Sequence, residues 1–459
     1  MGRYLLENAT ILTGEYMEEG ILSVDGDRIG GIWLKKDLKE GTPSSPIPSE
    51  GYERIDLGGK ILLAGGIDAH VHFREPGMTG KADFFTESRA ALLGGITSVL
   101  DMPNTNPPTV SIEAVREKKS MTRGRSWTDY GFHIGATNSN AGIITEALRK
   151  GVSGREFAAV KVFMGSSTGN MLVDSESALG EIFSLKDVRI LVHCEDEATI
   201  RENLRKACEQ YGEDIPFTLH PVIRSRKACI RSTAKALETA IAKGTALHVL
   251  HVTTAEEAEM IRAAKIHNPL ITAETSANYL LFTDADYSTL GAKVKCNPSV
   301  KSSRDREALR EALRDGVIDT IGSDHAPHLL SEKDAPYRKC PSGVPSIQHS
   351  LSAVFTVCVE EDIPLTRIPS LFSEKAASMF GISGKGFLRP GMDADLTVID
   401  KDAIFTVRKE DLAYKCGWSP YEGMTFSAPV LTVFLHGEKV VGDGHITIPS
   451  PTGKELLYR

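Results

Sequence analysis

The stretch Asp68-Ala69-His70-Val71-His72-Phe73-Arg74-Glu75-Pro76-Gly77 sets two imidazoles and a guanidinium at alternate positions after a continuous apolar run. Side chains on a strand alternate between its faces, so His70, His72 and Arg74 point the same way, two nitrogen ligands within reach of one cation and a guanidinium beyond them. A pair of core histidines is the plain alternative, but it needs separate hydrogen-bond partners, whereas one metal ion satisfies both rings. Further along, His193 ends an apolar run in Val192-His193-Cys194-Glu195-Asp196, and His251 ends another in His248-Val249-Leu250-His251-Val252. Asp324 ends a third, in Gly322-Ser323-Asp324-His325-Ala326-Pro327-His328. His248 lies earlier in its run, on the opposite parity from His251, and reads as a hydrogen-bonded core residue.

Lys161 is the oddity, the one charged residue in Phe157-Ala158-Ala159-Val160-Lys161-Val162-Phe163-Met164. An ammonium in a buried strand is costly without a carboxylate beside it. Two readings stand: a stem that crosses apolar surface to put its head in water, or an amine that burial deprotonates. An uncharged amine can add carbon dioxide, giving a carbamate whose two oxygens can bridge two cations.

These residues need a scaffold that brings strand ends together. Short apolar, β-branched runs alternate with helical patterns, the signature of βα units on a parallel sheet. Eight strands are expected, at Ile61–Phe73, Ile96–Met102, Tyr130–Gly135, Phe157–Met164, Val188–Glu195, Ala246–Val252, Leu270–Thr275 and Thr320–Ser323. Between them Ser232–Ala242, Ala255–Ala264 and Asp305–Asp315 carry apolar residues at helical spacing. The fold class expected is therefore α/β, a (β/α)8 TIM-like barrel, whose active site lies at the C-terminal ends of its strands. Both ends of the chain read as short strands and turns, each too small for a core of its own. They are expected to form one small β-sandwich domain from residues 1–57 and 386–459, with the barrel occupying 58–385 between them. The stretch Gly41-Thr42-Pro43-Ser44-Ser45-Pro46-Ile47-Pro48-Ser49 reads as a mobile surface loop.

A formal net charge of -8 without a basic cluster gives no footprint for nucleic acid. Seven scattered cysteines, never in a CxxC pair, argue against a disulfide framework and a zinc ribbon, and fit a reducing cytoplasm. No membrane span, signal peptide, internal repeat, phosphate-binding loop or dinucleotide fingerprint is expected. A homodimer is the expectation from the frequency of two-fold assemblies alone.

In order, His70, His72, Lys161, His193, His251 and Asp324 resemble the amidohydrolase superfamily, and within it the cyclic amidohydrolases with a two-zinc site. The resemblance implies two Zn2+ per subunit, bridged by carbamylated Lys161 and a hydroxide. The paired histidines, Lys161 and Asp324 would hold the more buried ion; Lys161, His193 and His251 would hold the other. Asp324 would also be the catalytic proton carrier. Hydantoinases, allantoinases and dihydroorotases are alike in these ligands, so the flanking residues must choose between them. Dihydroorotate carries a free carboxylate, and Arg74 stands where allantoinases typically have Asn and hydantoinases an acidic or apolar residue. Asn104 and His328 match further carboxylate contacts of dihydroorotases, and Asn297 matches a contact to the ring. Pro341-Ser342-Gly343-Val344-Pro345 resembles a segment that closes over substrate, which makes Ser342 and Gly343 binding residues. Lys415-Cys416-Gly417-Trp418-Ser419-Pro420-Tyr421-Glu422-Gly423 is typical of the same group and is expected to pack barrel on sandwich. The expected reaction is reversible hydrolysis of dihydroorotate to N-carbamoyl-L-aspartate in pyrimidine synthesis, with a hydantoinase, an allantoinase or a non-catalytic scaffold as alternatives. Ala277-Asn278-Tyr279 and Ser299-Val300-Lys301 depart from the pattern, where paired histidines and Pro-x-Arg are usual, and leave the pocket rim open.

Overall fold

Gly66–Val71, Ile96–Asp101, Asp129–Phe132, Val160–Phe163, Ile190–His193, Leu247–Val249, Thr272–Thr275 and Thr320–Ile321 are strands buried along nearly their whole length. Such strands must be covered on both faces, and parallel pairing with crossover helices is what provides that cover. The computed structural model, which describes residues 2–39, 46–48, 50–150, 156–165 and 171–459, pairs them in chain order, all parallel. The third strand is interrupted at His133 and resumes as Ile134–Gly135, which passes the pairing on to Val160–Phe163. A bridge between Val71 and His325, with His72 N–H donating to the His325 carbonyl at 2.8 Å, joins the last strand to the first and closes the barrel. Helices Arg226–Lys243, Ala255–His267 and Ser303–Arg314 lie in the crossovers where helical spacing was expected. Thr254 begins the second of these with a reciprocal capping box to Glu257, so the chain turns into helix three residues after His251.

The first strand departs from the sequence reading. Ile61–Ala64 does not belong to the barrel; it pairs parallel with Arg3–Leu12 and antiparallel with Leu396–Ile399. The uninterrupted apolar run hides the break, which falls at Gly65. A Cβ there would lie 2.3 Å from Thr97 Oγ1, so only glycine lets the chain pass between sheet and barrel. Strands from both ends of the chain, the five from Arg3–Leu12 to Ile61–Ala64 together with Leu396–Ile399, Val430–Leu435, Glu438–Gly442 and His445–Ile446, make one nine-stranded sheet. It buries a core of its own that includes Leu6, Leu22, Val24, Leu396, Val398 and Phe434. Of the expected surface loop, residues 41–45 and 49 lie outside the described residues. Among the described residues no helix is long and apolar enough to cross a membrane.

Candidate metal centre and anion subsite

The C-terminal ends of the strands bring the candidate ligands to one cavity. It is lined by His70, His72, Arg74, Asn104, Lys161, His193, His251, Asn297, Asp324, Ser342 and Gly343, with Phe163 and Ala326. His328 is absent from the wall and stands behind Arg74. Arg74, His251 and Asp324 have φ of +65°, +39° and +47°. Non-glycine residues reach this region only where the surrounding structure holds them there, and such positions cluster at functional sites.

His70, His72 and Asp324 offer ligand atoms that all lie within 4.8 Å of one another. Their proton inventory decides what belongs between them. His72 Nδ1 faces Asn104 Oδ1 at 2.8 Å and donates to it, which leaves a lone pair on Nε2. His70 Nδ1 is bonded to the Glu274 carboxylate, which leaves its Nε2 in the same state. Both lone pairs point at Asp324 Oδ1, at 3.3 Å from His70 and 3.1 Å from His72. Burial pulls His72 down to about 3, so the ring is neutral at pH 7. Three acceptors converge with no proton between them, and a cation is the partner they fit.

The second group is built alike. His193 Nε2 meets Glu195 Oε2 at 3.0 Å, and Arg224 holds the same carboxylate oxygen. His193 Nδ1 faces His251 Nε2 at 2.9 Å, and His251 Nδ1 is buried with no hydrogen-bond partner among the described residues. Both rings line the cavity, and neutral imidazoles there fit a cation. The two groups are neighbours, with the His70 and His251 ring centres 5.5 Å apart. Lys161 lines the same cavity, has no hydrogen bond or ion pair among the described residues, and is brought by burial to about 8. The reading of its head in open water falls away, since Lys161 is 1% exposed. A tenth or so of such an amine is uncharged near pH 7.

Arg74 is the other buried cation of the cavity. Its Nε donates to the Pro327 carbonyl at 3.1 Å and its Nη2 lies 3.0 Å from His328 Nε2. It makes no ion pair among the described residues, and burial lowers it to about 10, still charged at neutral pH. Asn297 Oδ1 is buried and has no hydrogen-bond partner among the described residues. Ser342 and Gly343 come from a loop that is tied down: Lys333 Nζ donates to the carbonyls of Lys295, Pro341 and Gly343, and Lys295 Nζ to those of Tyr337 and Cys340. Gly343 has φ +133° and a Cβ on it would lie 2.6 Å from the Ala326 carbonyl.

Residues 61–440 match the Amidohydrolase family, well over half of the chain. The chain belongs to this family. Among curated relatives, a dihydroorotase of Methanosarcina acetivorans is 36% identical over 391 residues, covering 83% of this chain and 81% of its own. An allantoinase of Streptomyces avermitilis is 30% identical over 451 residues, covering 97% of each. Among solved structures, an L-hydantoinase (dihydropyrimidinase) from Arthrobacter aurescens superposes with a TM-score of 0.91 at 26% identity, covering 100% of both chains.

For an amidohydrolase the anionic supports behind the ligands matter as much as the ligands, and these the motif reading missed. Glu274 bonds His70 and reaches His248 Nε2 at 3.2 Å, while Thr272 Oγ1 lies 2.9 Å from His248 Nδ1, so His248 is the hydrogen-bonded core residue expected. Glu274 carried the same signal as Lys161, a lone charge in a buried strand. Glu195 stood in the quoted His193 segment without a role. Asn104, expected to meet a substrate carboxylate, has its Oδ1 on His72. The departures at the rim turn out to be scaffolding: Asn278 Oδ1 accepts from Tyr421 Oη at 2.7 Å, Tyr279 Oη donates to the Pro298 carbonyl, and Lys301 Nζ donates to Ser299. Trp418, expected only to pack, donates from Nε1 to the His328 carbonyl at 2.8 Å.

Proposed function

We propose that this amidohydrolase is a dihydroorotase, which reversibly hydrolyses the cyclic amide of (S)-dihydroorotate to N-carbamoyl-L-aspartate. The observation that carries the reading is Arg74: a fully buried guanidinium at the cavity wall with no carboxylate partner among the described residues. A buried charge without a counter-ion is costly, and a substrate carboxylate supplies that counter-ion with two oxygens in the geometry a guanidinium reads. Hydantoin, dihydrouracil and allantoin are neutral rings and leave it unpaired. The hydantoinase likeness speaks to fold, which these activities share.

In this reading His70, His72, Asp324 and Lys161, as a carbamate, would hold one zinc ion, and Lys161, His193 and His251 would hold a second. Bound there, the ions supply Lewis-acid polarisation of the amide carbonyl and a water acidic enough to attack at neutral pH. Asp324 takes the proton released in the attack and returns it to the ring nitrogen as the carbon–nitrogen bond breaks. Arg74 grips the carboxylate, and Asn297 offers its unpartnered oxygen to a ring N–H. Remote binding thereby becomes orientation of the reacting carbonyl. A reducing cytoplasm suits a chain whose seven cysteines are all unpaired.

The test is kcat/KM on dihydroorotate, hydantoin, dihydrouracil and allantoin, with zinc-reconstituted protein and bicarbonate present. A preference for dihydroorotate by several orders of magnitude is expected. A neutral ring turned over best would overturn the assignment, and zinc-loaded protein inert on all four would point to a scaffold.

A further inference from the structure

His328 has a cationic donor against each ring nitrogen. Lys81 Nζ lies 3.1 Å from Nδ1 and Arg74 Nη2 lies 3.0 Å from Nε2, while the Ser342 carbonyl oxygen lies 3.1 Å from Nε2. A neutral imidazole has one N–H and one lone pair, so it cannot accept from both cations. Lys81 is itself fixed, 2.8 Å from Glu332 Oε1, and its ammonium has only protons to offer. The lone pair therefore belongs on Nδ1, facing Lys81, and the proton on Nε2, donated to the Ser342 carbonyl. That leaves the Arg74 contact as donor against donor, two N–H groups 3.0 Å apart with no anion between them.

We propose that Lys81 is a positioning residue that sets the tautomer of His328, so that Nε2–H is spent on the Ser342 carbonyl at the cavity wall and the Arg74 guanidinium, with no lone pair to hold it back, stays free to clamp the substrate carboxylate. The proposal rests on the dihydroorotase reading. Burial, with Arg74, Lys81 and Lys333 behind it, pushes His328 far below the usual imidazole range, so the ring stays neutral. Glu332, whose Oε2 is 3.8 Å from Nδ1, is engaged by Lys81 and by the Leu329 N–H. Lys81 lies on the loop after the first barrel strand, and His328 and the short helix Leu330–Lys333 that carries Glu332 follow the eighth, so the latch spans the seam where the barrel closes.

The experiment compares wild type, Lys81→Met and Lys81→Arg. Nitrogen-15 NMR of the substrate-free protein reads the His328 tautomer, with the signal assigned by its loss in His328→Gln, and steady-state kinetics separate KM from kcat. In wild type and Lys81→Arg the proton is expected on Nε2. In Lys81→Met the tautomers mix and KM for dihydroorotate rises about tenfold, the value of one charge-assisted hydrogen bond, with kcat within about threefold. An unchanged Nε2–H tautomer in Lys81→Met overturns the proposal whatever KM does, because Lys81 would then act through charge alone. Should the protein not turn over dihydroorotate, the NMR arm still decides the tautomer, while the kinetics decide the substrate.

Discussion

Glu274, on the seventh barrel strand, lies between histidines of the first and the sixth, one carboxylate oxygen on His70 Nδ1 and the other 3.2 Å from His248 Nε2. Burial would raise this carboxyl, but His70 and His248 hold it well below its ordinary range, so it stays an acceptor and keeps the His70 proton on Nδ1. Replacing it by Gln keeps the shape and removes the charge. Glu274→Gln is expected to weaken zinc binding or activity about 10–100-fold, the usual cost of losing a support behind a metal-bound histidine. Equilibrium dialysis against zinc beside kcat/KM tests it; unchanged values in both would mean that His70 is oriented by something else.

Arg74→Ala is expected to keep the metal content of wild type and to lose kcat/KM on dihydroorotate by about 10²–10³-fold, the value of a buried bidentate carboxylate contact. Metal analysis and kinetics on the same preparation are the check. Catalytic efficiency close to wild type would remove Arg74 from the clamp.

Lys161→Ala is expected to lose both metal and activity, with partial rescue by small carboxylic acids that replace the carbamate oxygens. The prediction concerns occupancy first, so zinc stoichiometry is the decisive readout. Full occupancy without added acid would count against a bridging carbamate.

Away from the site, Lys385 Nζ is buried among three carboxylates, 2.6 Å from Asp129, 3.0 Å from Asp393 and 2.5 Å from Asp395. Lys385→Met leaves these charges without their cation and is expected to cost about 3–5 kcal/mol in urea unfolding at pH 7. In wild type, burial would raise Asp129, but Lys385 and then His436 lower it below the ordinary aspartate value. Its contribution to stability is therefore present above its unfolded value and lost as the pH falls through the lower folded value. In Lys385→Met burial has less to oppose it and Asp129 rises, so the variant is expected to regain part of its loss between pH 7 and 5 while wild type does not. A parallel pH dependence for the two proteins would contradict this account.

Much of the centre was legible because His70, His72, Lys161, His193, His251 and Asp324 are each a ligand-type residue at or near the end of an apolar strand. A barrel gathers such ends whatever the loops do. The supports were harder to read. Lys81, Lys295 and Lys333 find partners among carbonyls and imidazoles remote in the chain, and nothing in their local pattern separates them from surface lysines. Trp418 was visible as packing, yet its bond to the His328 carbonyl depends on a tertiary contact across 90 residues. The boundary at Gly65 escaped because a strand buried on both faces has no alternation to lose when it changes sheets.

That boundary has a mechanical meaning. One residue separates Ala64, hydrogen-bonded into the terminal sheet, from the strand that carries His70 at its far end. There is no slack in which a displacement of the sheet could be absorbed. Gly65 itself donates to the Asp395 carbonyl at 2.8 Å, so the terminal sheet is the anchor from which the strand bearing His70 and His72 departs.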